Sequence, residues 1–261
     1  MFDFHLHSSV SFDSECKASD MVKKAEQSGF KAICFTDHYD CHSNPDKVHN
    51  LFTLEEYDAE YSSLKSDSVK ILQGVEFGLT DWNREEFLDL TSKQPFDFVI
   101  GSAHFVDGYD PYDAEYWIDM SVKDAFEKYL NGVLRYVKIH SGFDVLGHLT
   151  YVCKSAHNPT HEPVRLSEYL DITDEIMKVI ISKGIGMEIN TSGVDKAGVM
   201  LPTSDFIKRY KELGGEVVTV GSDAHDDVRL GQYIPEALEI LRDVFGYVCT
   251  FEDRKPIFHK L

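Results

Sequence analysis

Residues 1–15 read MFDFHLHSSVSFDSE, and the run from Phe2, FDFHLH, governs how the rest of the chain is read. Its alternation of apolar and polar residues is that of a strand, yet it ends in two imidazoles one residue apart. In a strand, residues i and i+2 point to the same side, so His5 and His7 face one way and suit one ion. Six further β-rich runs follow the same plan: KAICFTDH from Lys31, KILQGVEFG from Lys70, FDFVIGSAH from Phe96, DVLGHLT from Asp144, GMEINTS from Gly186 and EVVTVGSDAH from Glu216.

Between the runs lie amphipathic patterns that predict helices over residues 18–28, 54–65, 82–92, 121–140, 166–183, 203–213 and 234–245. Gly29, Gly184, Gly214 and Gly246 follow four of them as stop signals. Strands alternating with helices imply a parallel sheet, and seven such units in this length predict an α/β barrel. The longest irregular stretches, 39–53, 105–120 and 151–165, each follow a strand, where βα loops build active sites.

The strand ends carry the chemistry. In order they offer His5 and His7, Asp37-His38, Glu76, His104, His148, Asn190, then Asp223 and His225. In a barrel these ends converge on one mouth. Together with Asp13, the set His5, His7, Asp13, His38, Glu76, His104, His148, Asp223 and His225 gives nine candidate ligands, more than one tetrahedral ion uses. Imidazole with carboxylate suits zinc, manganese or iron, and the number suits two or three ions. A single strand-end histidine is more often a structural hydrogen-bonder. Here six of twelve histidines sit at strand ends in phase with a barrel, which favours a metal site. The other six (His42, His49, His140, His157, His161 and His259) are expected mostly at the surface. Ions that lower the pKa of water and neutralise phosphoryl oxygens point to hydrolysis, with phosphoesters the natural substrates.

Bulk properties narrow the class. A formal charge of −19 and a pI near 4.9 disfavour broad nucleic-acid binding. Five cysteines without a CxxC spacing argue for a reducing compartment. No leader and no apolar run of membrane-spanning length is evident, so the expectation is a cytoplasmic protein of open oligomeric state. There is no GxSxG, no GxxxxGK[ST] and no GxGxxG opening a helix.

FDFHLHSS, TDH at residues 36–38, Glu76 in GVEFG, SAH at 102–104, GHL at 147–149 and GSDAH at 221–225 together resemble the PHP (polymerase and histidinol phosphatase) family. Within it, the chain length, EINTSG at 188–193 and the long insertion after His148 resemble the stand-alone histidinol-phosphate phosphatases. The resemblance implies a single-domain distorted seven-stranded (β/α)7 TIM-like barrel over residues 1–261, with a trinuclear metal site. It assigns His5, His7, Glu76 and Asp223 to a first ion, with Glu76 bridging to a second held by His104 and His148. A third ion falls to His38, His225 and position 13, where many relatives carry His and this chain has Asp13, with Ser14 and Glu15 as alternative contacts. The implied activity is hydrolysis of L-histidinol phosphate in histidine biosynthesis, by attack of a metal-bridging hydroxide that Asp223 helps orient.

Arg165 and Arg229 are candidate phosphate forks, and Glu15 is the candidate partner for substrate amine or imidazole. The rival readings are a PHP phosphoesterase for another small phosphate such as a nucleotide, a lysine-bridged amidohydrolase, and a non-catalytic PHP-type interaction module. Trp117, Tyr112, Tyr116 and Phe105 form an aromatic-rich loop with two readings, a cover for an imidazole ring or, the one favoured, satellite core; Tyr39, Cys41 and His42 read as pocket lining or, the one favoured, ordinary loop packing.

Overall fold

The computed structural model describes residues 1–42, 44 and 49–261, so the middle of the loop expected at 39–53 lies outside the described residues. Seven parallel strands pair in chain order: β1 (Phe2–Leu6), β2 (Ala32–Asp40), β3 (Lys70–Gly78), β4 (Phe98–Ser102), β5 (Val145–Leu146), β6 (Gly186–Asn190) and β7 (Val218–Gly221). Around them run α1 (Ala18–Gln27), α2 (Leu54–Tyr61), α3 (Arg84–Lys93), α4 (Val122–Ile139), α5 (Leu170–Ser182), α6 (Gly193–Ala197), α7 (Ser204–Glu212) and α8 (Ile234–Val244). The sheet curls until its first and last strands meet. At this seam the Asp223 amide donates to the His5 carbonyl and the His7 amide to the Ala224 carbonyl, each at 2.9 Å. The buried carboxylate of Asp3 ties the same seam by accepting from Ser222 and from the Gly231 amide.

The outer faces of the strands pack against the helices in one large core, including Leu6, Ile33, Phe35, Val75 and Phe77. The barrel interior is divided. Its lower half is apolar, with Phe4, Cys34, Leu72, Phe98 and Ile100. Its upper half is polar. Strand β1 serves both halves through a β-bulge: Asp3 pairs with Ile33 and Leu6 with Phe35, three residues against two. The extra residue shifts the side-chain phase, so Phe4 faces the apolar floor while His5 and His7 still face the polar mouth and Leu6 the helices.

The sequence reading contains no element after α8, but the structure adds an antiparallel hairpin, β8 (Tyr247–Glu252) and β9 (Lys255–Lys260). Its turn, Asp253–Arg254, has both residues at positive φ, 48° and 63°. The twist suits a hairpin, yet neither residue is the glycine that usually marks such a turn. Contacts hold it instead: the Arg254 amide donates to the Asp97 carbonyl, and its guanidinium to the Asp144 carboxylate and the Gly142 carbonyl. The hairpin places Phe251, 3 % exposed, against Phe98 with ring centroids 4.9 Å apart, closing the barrel floor.

Of the aromatic loop expected as satellite core, Trp117 and Tyr116 join the main core, the Trp117 indole donating to the Pro111 carbonyl and the Ser155 hydroxyl, whereas Tyr112 and Phe105 line the cavity over the barrel mouth. Tyr39 and Cys41 are also buried. His140 departs from expectation: it is fully buried and its Nε2 bonds the Thr80 carbonyl at 2.8 Å. Among the described residues no helix is long and apolar enough to cross a membrane.

Candidate metal centre

The polar mouth gathers the strand-end residues around Glu76, which is fully buried on β3. Its Oε2 lies 3.1 Å from His5 Nε2, 3.0 Å from His38 Nδ1 and 3.6 Å from His7 Nε2. Its Oε1 lies 2.7 Å from His148 Nε2 and 3.2 Å from His104 Nε2, and accepts from Ser102 Oγ at 2.6 Å. One carboxylate thus faces two sets of imidazoles. Asp223 completes the first set, its Oδ1 3.2 Å from His7 Nε2 and 3.7 Å from His5 Nε2. Asp223 itself sits at φ 55°, a left-handed conformation that aspartate tolerates better than most residues. Gly221 is needed beside it, because a methyl there would overlap His5 Cβ.

His7, His38 and His225 form a third trio with ligand atoms within 4.8 Å of one another. Asp13 lies at its rim, Oδ2 3.2 Å from His225 Nε2 and 3.7 Å from His38 Nε2. Ser14 instead turns inward, its hydroxyl donating to the His225 carbonyl.

Four ring nitrogens are fixed from behind. His5 Nδ1 donates to Glu188 at 2.6 Å, and His104 Nδ1 to Asp40 at 2.9 Å. His225 Nδ1 donates to the Asp223 carbonyl at 3.0 Å. His7 Nδ1 donates to Ser11 Oγ at 3.0 Å, and that hydroxyl donates on to Asp37 at 2.9 Å. Each turns Nε2 towards the cluster, the nitrogen a metal ligand would use. His5 Nε2, His7 Nε2, His38 Nδ1 and Glu76 Oε2 are buried and make no hydrogen bond. Buried polar atoms are rarely left in this state, and several converging on one point fit divalent cations.

Without ions, the imidazoles and carboxylates of the cluster set one another's charge. Burial would push Glu76 up, but His5, His104 and His38 outweigh it and hold the carboxyl well below its usual range. Burial lowers His38, yet Glu76 and Asp40 raise it to about 9. His7 goes the other way: burial and the neighbouring His225 and His38 hold it well below the ordinary histidine range, so it stays neutral.

Glu188, Asp40, Ser11 and Lys154 were not among the candidates read from the sequence. Both oxygens of Glu188 are occupied, one by His5 and the other by the His148 amide at 2.9 Å. Glutamine has one acceptor oxygen, so Glu188→Gln would turn an NH2 group against a donor. Metal affinity measured by equilibrium dialysis is expected to fall about 10- to 100-fold; unchanged affinity would remove Glu188 from the support of His5.

A cavity of about 510 Å3 opens above the cluster. Its wall includes Lys154, Lys196 and Arg229. Lys154 Nζ lies 2.9 Å from Asp223 Oδ2, and that carboxylate keeps the buried ammonium above its usual range against the pull of burial. Arg229 reaches the wall while pairing with Asp195 at 2.6 Å. The wall also carries Asp110 and Tyr151, and Lys154 Nζ lies 6.0 Å from the centroid of the Tyr151 ring. Burial pushes Asp110 up to about 6, against the Tyr112 amide and the charge of His104.

Two substrate candidates lie elsewhere. Arg165 is exposed and pairs with Glu162, because the loop after β5 turns its guanidinium to solvent. Glu15 is exposed and does not line the cavity, since α1 begins just after it and carries it past the rim. Arg165→Ala is expected to leave KM for a phosphomonoester within about twofold, as exposed surface changes do. A tenfold rise would return it to the site.

Three comparisons with known proteins agree with this geometry. The PHP domain profile matches residues 3–192. A probable histidinol-phosphatase from Clostridium acetobutylicum is 33% identical over 258 residues, 99% of this chain and 96% of the relative. A histidinol-phosphatase from Lactococcus lactis subsp. lactis is 32% identical over 97% of this chain and 95% of its own length. The crystal structure of histidinol phosphate phosphatase from Lactococcus lactis subsp. lactis Il1403, complexed with zinc, L-histidinol and phosphate, superposes with a TM-score of 0.83 at 28% identity, covering 98% of both chains. With the profile running from β1 to the end of β6, and a relative one-third identical across the whole chain, this protein belongs to the PHP family.

Proposed function

We propose that the protein is a metal-dependent phosphomonoesterase that hydrolyses L-histidinol phosphate to L-histidinol and phosphate in histidine biosynthesis, in the cytoplasm. The observation that carries the reading is Glu76, whose two oxygens face separate sets of imidazole nitrogens at the foot of a cavity walled by Lys154, Lys196 and Arg229. The relatives' names and the Lactococcus complex supply the substrate.

His5, His7, Glu76 and Asp223 would hold one divalent ion, and Glu76 with His104 and His148 a second. His38 and His225 with Asp13 would hold a third, where the aspartate makes the donor set harder and richer in oxygen. Zinc, manganese or iron suits these donors. Bound there, such ions lower the pKa of water and neutralise developing charge on a phosphoryl group.

The chain's own residues have distinct tasks. Lys154, Lys196 and Arg229 draw the phosphate to one side of the mouth. Asp223, pinned by Lys154 and by Ser192 Oγ at 2.9 Å, keeps one oxygen turned to the cluster. Asp40 and Glu188 hold His104 and His5 in one tautomer.

Phosphate release from L-histidinol phosphate, p-nitrophenyl phosphate and a nucleoside monophosphate tests the proposal, using protein of assayed metal content. The expected kcat/KM advantage for histidinol phosphate is on the order of 100-fold or more. Equal slow rates on all three would leave a metal hydrolase of another substrate, and a preference for the nucleotide would favour the rival small phosphate.

A further inference from the structure

The cavity wall carries both signs of charge. Its cations come from the segments after β5, β6 and β7: Lys154, Lys196 and Arg229. The loop after β4 supplies two carboxylates, the half-buried Asp110 and the exposed Asp113, and no metal-facing role accounts for Asp110. Asp110 is held in place rather than solvated at random. Its Oδ1 accepts the Tyr112 amide at 2.7 Å and the Tyr151 hydroxyl at 3.2 Å. The Tyr151 ring lies 5.3 Å from the His104 ring and 5.1 Å from the His148 ring, so Asp110 stands about one phenol's length from the metal donors. Among the described residues Asp110 makes no ion pair. Lys154 is committed to Asp223, and Arg229 to Asp195. Tyr112 and Phe105 line the same cavity, and aromatic faces favour a cation.

We propose that Asp110 is a specificity residue that binds the ammonium group of a phosphorylated 2-amino alcohol whose phosphate lies on the Lys154 side. This deepens the histidinol-phosphate reading and rests on it for the orientation of the phosphate. In that orientation the pocket separates a zwitterionic phosphomonoester from a purely anionic one, which nucleotide-like substrates do not satisfy.

Two matched pairs test it: L-histidinol phosphate against its des-amino analogue, and O-phosphoethanolamine against propyl phosphate. The native metal-loaded protein is expected to favour the amine-bearing member of each pair by about tenfold or more in kcat/KM. In Asp110→Asn the ratio is expected to fall towards one, mainly through KM, with Asp110→Glu recovering part of it. If Asp110→Asn does not fold, Tyr151→Phe, which removes one hydrogen bond fixing the carboxylate, is expected to lower the ratio instead. A ratio unchanged in a folded Asp110→Asn, or a native ratio near one in both pairs, overturns the assignment. The histidinol-phosphate reading fails separately if the native protein prefers p-nitrophenyl phosphate to histidinol phosphate. In that case the ethanolamine pair still reads Asp110.

Discussion

Glu76→Gln is expected to lose bound metal and to lower kcat/KM on phosphomonoesters by about three orders of magnitude, ~4 kcal/mol of transition-state stabilisation. Oε1 serves Ser102, His104 and His148, and Oε2 faces His5, His7 and His38. An amide removes the charge that both sets share and leaves one oxygen where two are used. The buried imidazoles then face an NH2 group instead of an acceptor. Elemental analysis beside phosphate-release assays reads both effects. A variant that keeps its full metal complement and most of its activity would show that the two sets do not depend on a common carboxylate.

The second large effect is on stability. Phe251→Ala is expected to cost about 3–5 kcal/mol, the usual penalty for removing a buried phenyl ring, and to lower Tm by about 10 °C. Phe251 comes from the hairpin that closes the floor, and without it Phe4 and Phe98 lose the ring that covers them. At permissive temperature the purified variant is expected to bind metal normally, because the floor and the donors occupy different halves of the lumen. A thermal melt shifted by less than about 2 °C would mean that the hairpin is not part of the cooperative core.

Much of this was legible in the sequence because its signals are local. Strand–helix alternation gave seven units, and the i, i+2 rule put His5 beside His7. The same rule, applied once more, would have added Asp40 two residues after His38, and Glu188 two before Asn190. Both act from behind a ligand, His104 for Asp40 and His5 for Glu188, and a local pattern does not separate such a residue from an ordinary buried polar one. The closing hairpin was hidden by its turn: Asp253–Arg254 has no glycine, and its conformation is sustained by Asp97, Asp144 and Gly142, which are far away in sequence. Arg165 ends the long loop after β5 and Glu15 follows Asp13 closely, yet neither lines the cavity. Which way a loop turns its side chains is a tertiary property, and Lys154, eleven residues before Arg165, is the cation that reaches Asp223.

The seam between β1 and β7 has a dynamic consequence. Among the described residues two backbone hydrogen bonds join its strand ends at the mouth, and they lie at the residues that carry the donors, His5, His7 and Asp223. An ion held between those side chains would staple strands more than two hundred residues apart in sequence, so loading and barrel closure are linked equilibria. The amides of His7 and Asp223 should therefore exchange with deuterated solvent much faster in chelated protein than in loaded protein, while amides between β2 and β3 change little. In this barrel the cofactor would be the clasp as well as the reagent.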